Sequence, residues 1–188
     1  MPSYTVSSVE DLPKNPAVSV TTATLELELQ EDTKTKLAAF QWRKKSLEEA
    51  DVEAVIFLSH GYAEYLTSHY EDFAAFLAEN FNVAVIGHDH LGHGRSEGPR
   101  AQTLIDFETD FVKPLIEHVR HANEKIFGNK PLYIVGHSMG GLVSVLSLLK
   151  EQAMFRGAVL IGPLIEADPT VATPFLKVMA KVCNVIFN

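Results

Sequence analysis

The chain has 188 residues, of which 46% are hydrophobic and 21% charged, a balance that suits one globular domain with a sizeable core and excludes a disordered or low-complexity protein. Lys and Arg number 16 against 24 Asp and Glu, for a net charge of −8, and no basic cluster is longer than Arg43-Lys44-Lys45. Phosphate backbones find no electrostatic footprint here, so nucleic acid is not an expected partner. The one cysteine, Cys183, has no internal partner for a disulfide, and no apolar run reaches the roughly 18 residues of a membrane span.

Along the chain, the opening MPSYTVSSVEDLPKNP sets acids and prolines where a signal peptide would need a continuous apolar run, which points to a cytoplasmic protein. Residues 1–20 lack periodicity and read as an extended, weakly ordered arm. Residues 24–29 (TLELEL) alternate apolar and polar, as in a strand with one wet face. A polar segment, 31–35, separates them from residues 37–42, and the pair predicts an antiparallel hairpin. Beyond the charged stretch 43–51 the pattern changes, because residues 54–58, 83–86, 132–135 and 158–161 are apolar at every position, as in strands covered on both faces. Segments 68–79, 103–127 and 139–150 carry apolar residues at helical spacing. Strand and helix alternate, so the fold class is α/β: a mostly parallel sheet with helices on both faces, spanning residues 21–165.

The last block, 166–188, opens with Asp168-Pro169-Thr170 and is helical in pattern but apolar nearly all round. Such a segment needs a partner surface, whether more protein, a lipid or a greasy ligand. Cys183 lies within it and reads as a small buried hydrophobe rather than a reactive thiol. Phe40, Trp42 and Tyr133 read as core. His118 and His121, three apart on one helical segment, read as solvent-exposed rather than metal-binding.

The sharpest local signal is Gly136-His137-Ser138-Met139-Gly140, a G-x-S-x-G run set between a buried strand and a helix. A turn this tight forces Ser138 into an unfavourable backbone conformation, and side chains two positions before and after would collide with it, which glycine avoids. The helix that follows aims its unpaired N–H groups at the serine, where an oxyanion would develop. Upstream, Ser59-His60-Gly61-Tyr62 follows the strand at 54–58; Gly61 permits close backbone approach, and Tyr62 N–H would donate beside Met139 N–H. The histidine-rich stretch 87–98 (GHDHLGHGRSEG) invites a metal reading, but ligands two apart on a loop form no recurring site, and no helix opens after its glycines as a phosphate loop would require. It reads as a turn-rich loop whose polar side chains hold the floor of the site. No cofactor is expected.

These three motifs in this order, FLSHGY at 57–62, GHDHLGHGRSEG at 87–98 and GHSMGG at 136–141, resemble the monoacylglycerol lipases of the α/β-hydrolase superfamily, with the likeness running from about residue 24 to the last residue. The resemblance implies an α/β-hydrolase fold and a serine esterase that cleaves monoacylglycerol or a similar lipid ester to fatty acid and glycerol through an acyl-enzyme. It implies Ser138 as nucleophile and Tyr62 and Met139 as backbone oxyanion donors, with Gly61 beside them. It also implies that 166–188 begins a hydrophobic cap, with peripheral membrane contact through residues 171–187. Substrates of the same fold, lysophospholipids, other esters or peptides, remain alternatives, as does a non-catalytic hydrolase-like binding module.

The family orders its triad Ser, Asp, His along the chain. Here all eight histidines precede Ser138, and the acids beyond it are Glu151, Glu166 and Asp168. The expected base and its orienting acid are therefore not in this sequence, which implies a chain that stops inside the cap and is inactive alone, with its last core strand left as an exposed edge.

Overall fold

The computed structural model describes residues 2–12, 14–30, 33–100 and 106–166. Seven strands form one sheet in the order β1-β2-β3-β5-β4-β6-β7. The first three, β1 (Ser3–Leu12), β2 (Asn15–Gln30) and β3 (Thr33–Lys44), make an antiparallel meander, and β3 also pairs antiparallel with β5 (Val83–His88). From there the sheet is parallel through β4 (Ala54–Ser59), β6 (Leu132–His137) and β7 (Gly157–Ile161). The predicted strands and the hairpin are all present.

Residues 3–12 and 15–20 are not an arm. They form β1 and the start of β2, in a ladder from Ser3↔Glu26 to Leu12↔Asn15. Pro2 precedes β1, and Pro16 falls where neither ladder pairs β2, so neither proline removes a needed N–H. Val18 and Val20 are buried there, and pairing supplies the order that local pattern does not.

Helices cover both faces, as the all-apolar strands demand. Val55 and Phe57 of β4 point to one side, where they pack with Leu115 and Val119 of α3 (Lys113–Lys125) and Met139 and Val143 of α4 (Met139–Lys150). Ile56 and Leu58 point to the other, against Leu66 of the short α1 (Leu66–His69), Ala74 and Ala78 of α2 (Glu71–Asn80), and Phe40 and Trp42 of β3. Val55, Phe57 and Leu58 are fully buried and contribute about 1.5–3 kcal/mol each, so alternation on β4 alone ties the two layers together. A π-helical turn, Glu108–Val112, leads into α3.

Two core assignments need correction. His118 is fully buried, because it shares the Leu115, Val119, Ala122 stripe of α3 that faces the sheet; His121 is only partly covered. Tyr133 is 41% exposed: Leu132 and Ile134 take the covered face of β6, leaving Tyr133 over Gly157 of β7 on the other. β7 is the edge strand among the described residues, with Val159, Leu160 and Ile161 exposed. Cys183 and the stretch 171–187 lie outside the described residues, as does all of the 166–188 block beyond Glu166. Among the described residues no helix is long and apolar enough to cross a membrane.

Candidate active site

β6 ends at His137 and α4 begins at Met139, so a single residue makes the turn. Ser138 makes it at φ 51° and ψ −117°, a conformation that costs a non-glycine residue about 1–3 kcal/mol and persists only where its surroundings enforce it. They do so on both sides. Ser138 N–H donates to the Ile161 carbonyl at 3.0 Å, and its own carbonyl accepts from Gly141 (3.0 Å), Leu142 (3.2 Å) and Leu164 (2.9 Å). The start of α4 and the segment after β7 thus hold the serine at the tip of the turn.

The flanking glycines have different neighbours from those the motif alone suggests. A Cβ on Gly136 would lie 2.3 Å from Ser144 Oγ and 2.5 Å from the Gly140 carbonyl, inside the turn. A Cβ on Gly140 would lie 2.1 Å from the Ser59 carbonyl and 2.5 Å from that of His60, on the loop after β4. Gly140 is therefore where two motifs distant in sequence touch, and it brings Gly61 and Tyr62 to the same end of the sheet as Ser138 and Met139.

His60 is fully buried, and both its ring nitrogens are committed. Nδ1–H donates to the Gly61 carbonyl at 2.8 Å, and Nε2 accepts the His90 backbone N–H at 2.8 Å. Burial holds its pKa down at about 3, so it is a neutral, single-tautomer strut and not a base. The peptide between 61 and 62 is trans, no cis peptide being present among the described residues, so holding the Gly61 carbonyl toward His60 turns the N–H of the same peptide, that of Tyr62, the opposite way.

The histidine-rich loop is tied to its neighbours by a buried polar network. The Asp89 carboxylate accepts the N–H groups of Leu66 (2.9 Å) and Arg95 (2.8 Å), and Ser96 Oγ donates to the Asp89 carbonyl while accepting Ala38 N–H at 2.9 Å. Burial raises the Asp89 pKa against the lowering effect of those two N–H groups. His90 Nε2 meets Ser59 Oγ at 3.1 Å, and His88 Nδ1 meets His118 Nδ1 at 3.1 Å. His88 and His90, like His118, are held well below the usual histidine range, by burial first and neighbouring imidazoles second. Among the described residues no group of three or more His, Cys, Asp or Glu is arranged to hold a metal ion.

One cluster was not legible in the motifs. The Glu64 carboxylate accepts Gly61 N–H at 2.8 Å, the Tyr70 hydroxyl, and His137 Nδ1–H at 3.1 Å; Tyr70 OH also lies 2.8 Å from His137 Nδ1. Burial pushes the Glu64 carboxyl up, but the donors prevail and hold it below the usual range; burial and the carboxylate beside it raise the Tyr70 phenol. No described histidine hydrogen-bonds Ser138 Oγ.

Residues 50–188 match the Hydrolase_4 family, described as serine aminopeptidase, S33. Human monoglyceride lipase is 40% identical over 134 residues, covering 71% of this chain and 43% of that protein; a monoglyceride lipase homolog of monkeypox virus is 34% identical over 131 residues, covering 68% and 44%. A soluble variant of the Saccharomyces cerevisiae monoglyceride lipase, solved with a substrate analog, superposes with a TM-score of 0.61 at 20% identity, covering 84% of this chain and 50% of that one. An acetyl xylan esterase from Paenibacillus sp. R4 superposes at 0.68 and 15%, covering 96% and 62%. The chain thus spans under half the length of the curated relatives it matches. The serine at a strained strand-to-helix turn, the mostly parallel sheet and the matched residues agree: the chain belongs to the Hydrolase_4 family and has the α/β-hydrolase fold.

Proposed function

We propose that the chain is the N-terminal part of a serine hydrolase of the monoacylglycerol lipase type, which cleaves a monoacylglycerol to fatty acid and glycerol. Ser138 Oγ attacks the ester carbonyl, the glycerol oxygen leaves with a proton, and water then hydrolyses the acyl-enzyme. The N–H groups of Tyr62 and Met139 stabilise the oxyanion, with Gly61 leaving room for the substrate. The observation that carries this reading is the strained Ser138 turn, with Gly140 seated on the Ser59 and His60 carbonyls so that both donor-bearing segments share one end of the sheet. Monoglyceride lipases among the relatives favour a lipid ester over other esters or peptides. Contact with a membrane surface through residues 171–187 belongs to the same proposal, and so does a cytoplasmic site of action.

The 188 residues alone are read as inactive. His60, His88, His90 and His118 are buried and held neutral, and no histidine follows Ser138 to act as its base; without one, turnover falls by several orders of magnitude. The test is fatty-acid release from 1-oleoylglycerol, by the native protein from its source and by the 188-residue chain, each with its Ser138→Ala variant. The expected outcome is turnover by the native protein that Ser138→Ala abolishes, and none above background by the 188 residues. Full-rate, Ser138-dependent turnover by the 188 residues would overturn the assignment of inactivity; native turnover insensitive to Ser138→Ala would overturn the nucleophile.

A further inference from the structure

The Glu64 cluster joins three elements that the catalytic motifs leave unconnected. Its carboxylate lies on the loop after β4, the Tyr70 hydroxyl comes from the start of α2, and the His137 ring stands at the end of β6, one residue before Ser138. The loop is built for that approach: a Cβ on Gly61 would lie 2.5 Å from Glu64 Oε2 and 3.3 Å from His137 Nδ1. Glycine at 61 therefore admits the carboxylate as well as any substrate.

Residue 61 is consequently held at both ends. Its carbonyl is held by His60 Nδ1–H and its N–H by Glu64. The peptide between 61 and 62 cannot rotate without breaking the first of these bonds; the second folds Glu64 back under Gly61, and the contacts of that carboxylate with His137 and Tyr70 are what tie the loop to the elbow and to α2. A carboxylate with several N–H and O–H donors forms charge-assisted bonds, about twice as strong as neutral ones. In the neutral ring the same carboxylate selects one tautomer of His137, because only Nδ1–H can donate to it, with Nε2 then the acceptor. The His137 side chain as a whole is about one-third exposed.

We propose that Glu64 is a positioning residue of the active site: it fastens the Gly61–Tyr62 loop to the Ser138 elbow through Tyr70 and His137, and in doing so sets the aim of the Tyr62 N–H and the tautomer of His137. The inference rests on the reading of Tyr62 N–H as an oxyanion donor, but its physical content, a carboxylate that orders the loop, is measurable without turnover.

The experiment compares the 188-residue chain with its Glu64→Gln and Tyr70→Phe variants by amide hydrogen exchange and by long-range imidazole nitrogen spectra. In the unaltered chain His137 is expected as the Nδ1–H tautomer. Glu64→Gln is expected to speed exchange at Gly61 by about tenfold or more, the loss of one charge-assisted hydrogen bond, while amides in the middle of α4 and β4 keep their protection. It also brings in the Nε2–H tautomer of His137, a signature that general loss of stability does not produce. Tyr70→Phe keeps the carboxylate, removes one of its donors, and is expected to move both readouts the same way by less; it carries the test alone should Glu64→Gln not fold. Unchanged Gly61 exchange and an unchanged His137 tautomer would overturn the proposal. Labelling of Ser138 by a fluorophosphonate in the native protein is followed in parallel. Absence of labelling there counts against Ser138 as nucleophile and leaves the fastening of the loop standing on its own measurements.

Discussion

Ser138 and Gly140 show how single residues carry opposite constraints. Ser138 occupies a conformation suited to glycine, so Ser138→Gly is expected to stabilise the fold. Relief of about 1–3 kcal/mol of strain exceeds the roughly 0.5–1 kcal/mol that a freer unfolded chain costs. The urea midpoint should rise with no change in slope, and a midpoint that falls would show that the turn is unstrained. Gly140→Ala acts the other way. Its methyl would meet two backbone carbonyls that cannot swing aside, so a loss of about 3 kcal/mol or more is expected by the same measurement. Gly157→Ala is the control: its nearest neighbour is the exposed Tyr133 ring at 3.3 Å, and a change within about 1 kcal/mol is expected. The glycine spacing around Ser138 was readable in the sequence because a chemical motif has a fixed local cause. Glu64, Tyr70 and His137 were not, since their meeting is set by three elements and leaves no trace in the spacing. His118 misled for a related reason: polarity argued for water, whereas its place on the Leu115, Val119 stripe decided otherwise.

Among the elements, β4 and β5 were plain from composition alone, because a strand covered on both faces has no polar position to disguise it; 132–135 and 158–161 are strands too, but Tyr133 and most of β7 are exposed rather than covered on both faces. α4 matched its expected bounds for the same reason, starting directly after Ser138. β1 was missed: SYTVSSVEDL has no clean alternation, and what orders it is its ladder to β2, a non-local fact. β7 presents the most testable surface. Val159 is 57% exposed on the strand that is the edge among the described residues, with Leu160 and Ile161 also exposed, and an apolar edge is a template for further pairing. Val159→Lys is expected to reduce concentration-dependent light scattering of the 188-residue chain while leaving its circular dichroism unchanged. Equal scattering from both proteins would show that self-association runs through another surface.

Over the whole molecule, the buried imidazoles set the response to acid. His60 and His118 have folded pKa values near 3, and His88 and His90 are also held far down, all by burial first. A base whose folded pKa lies below its unfolded value of about 6.5 takes up protons on unfolding, so stability is complete above pH 6.5 and falls as pH drops toward 3. Each such group withdraws stability through that window, and the four act in the same direction, so the decline is steep. Urea unfolding between pH 7.5 and 5 should show that steep decline; a flat profile would mean these rings are charged or solvated in the folded state. The strand order imposes a constraint of a different kind. β4 sits between β5 and β6, so its second neighbour does not exist until His137 has been made. At about 5–20 residues per second, the roughly eighty residues in between take several seconds to synthesise. During that interval the antiparallel meander can close on the ribosome, but an apolar strand destined for the middle of the sheet has one side bare, which makes the nascent chain between residues 60 and 137 a natural client for chaperones.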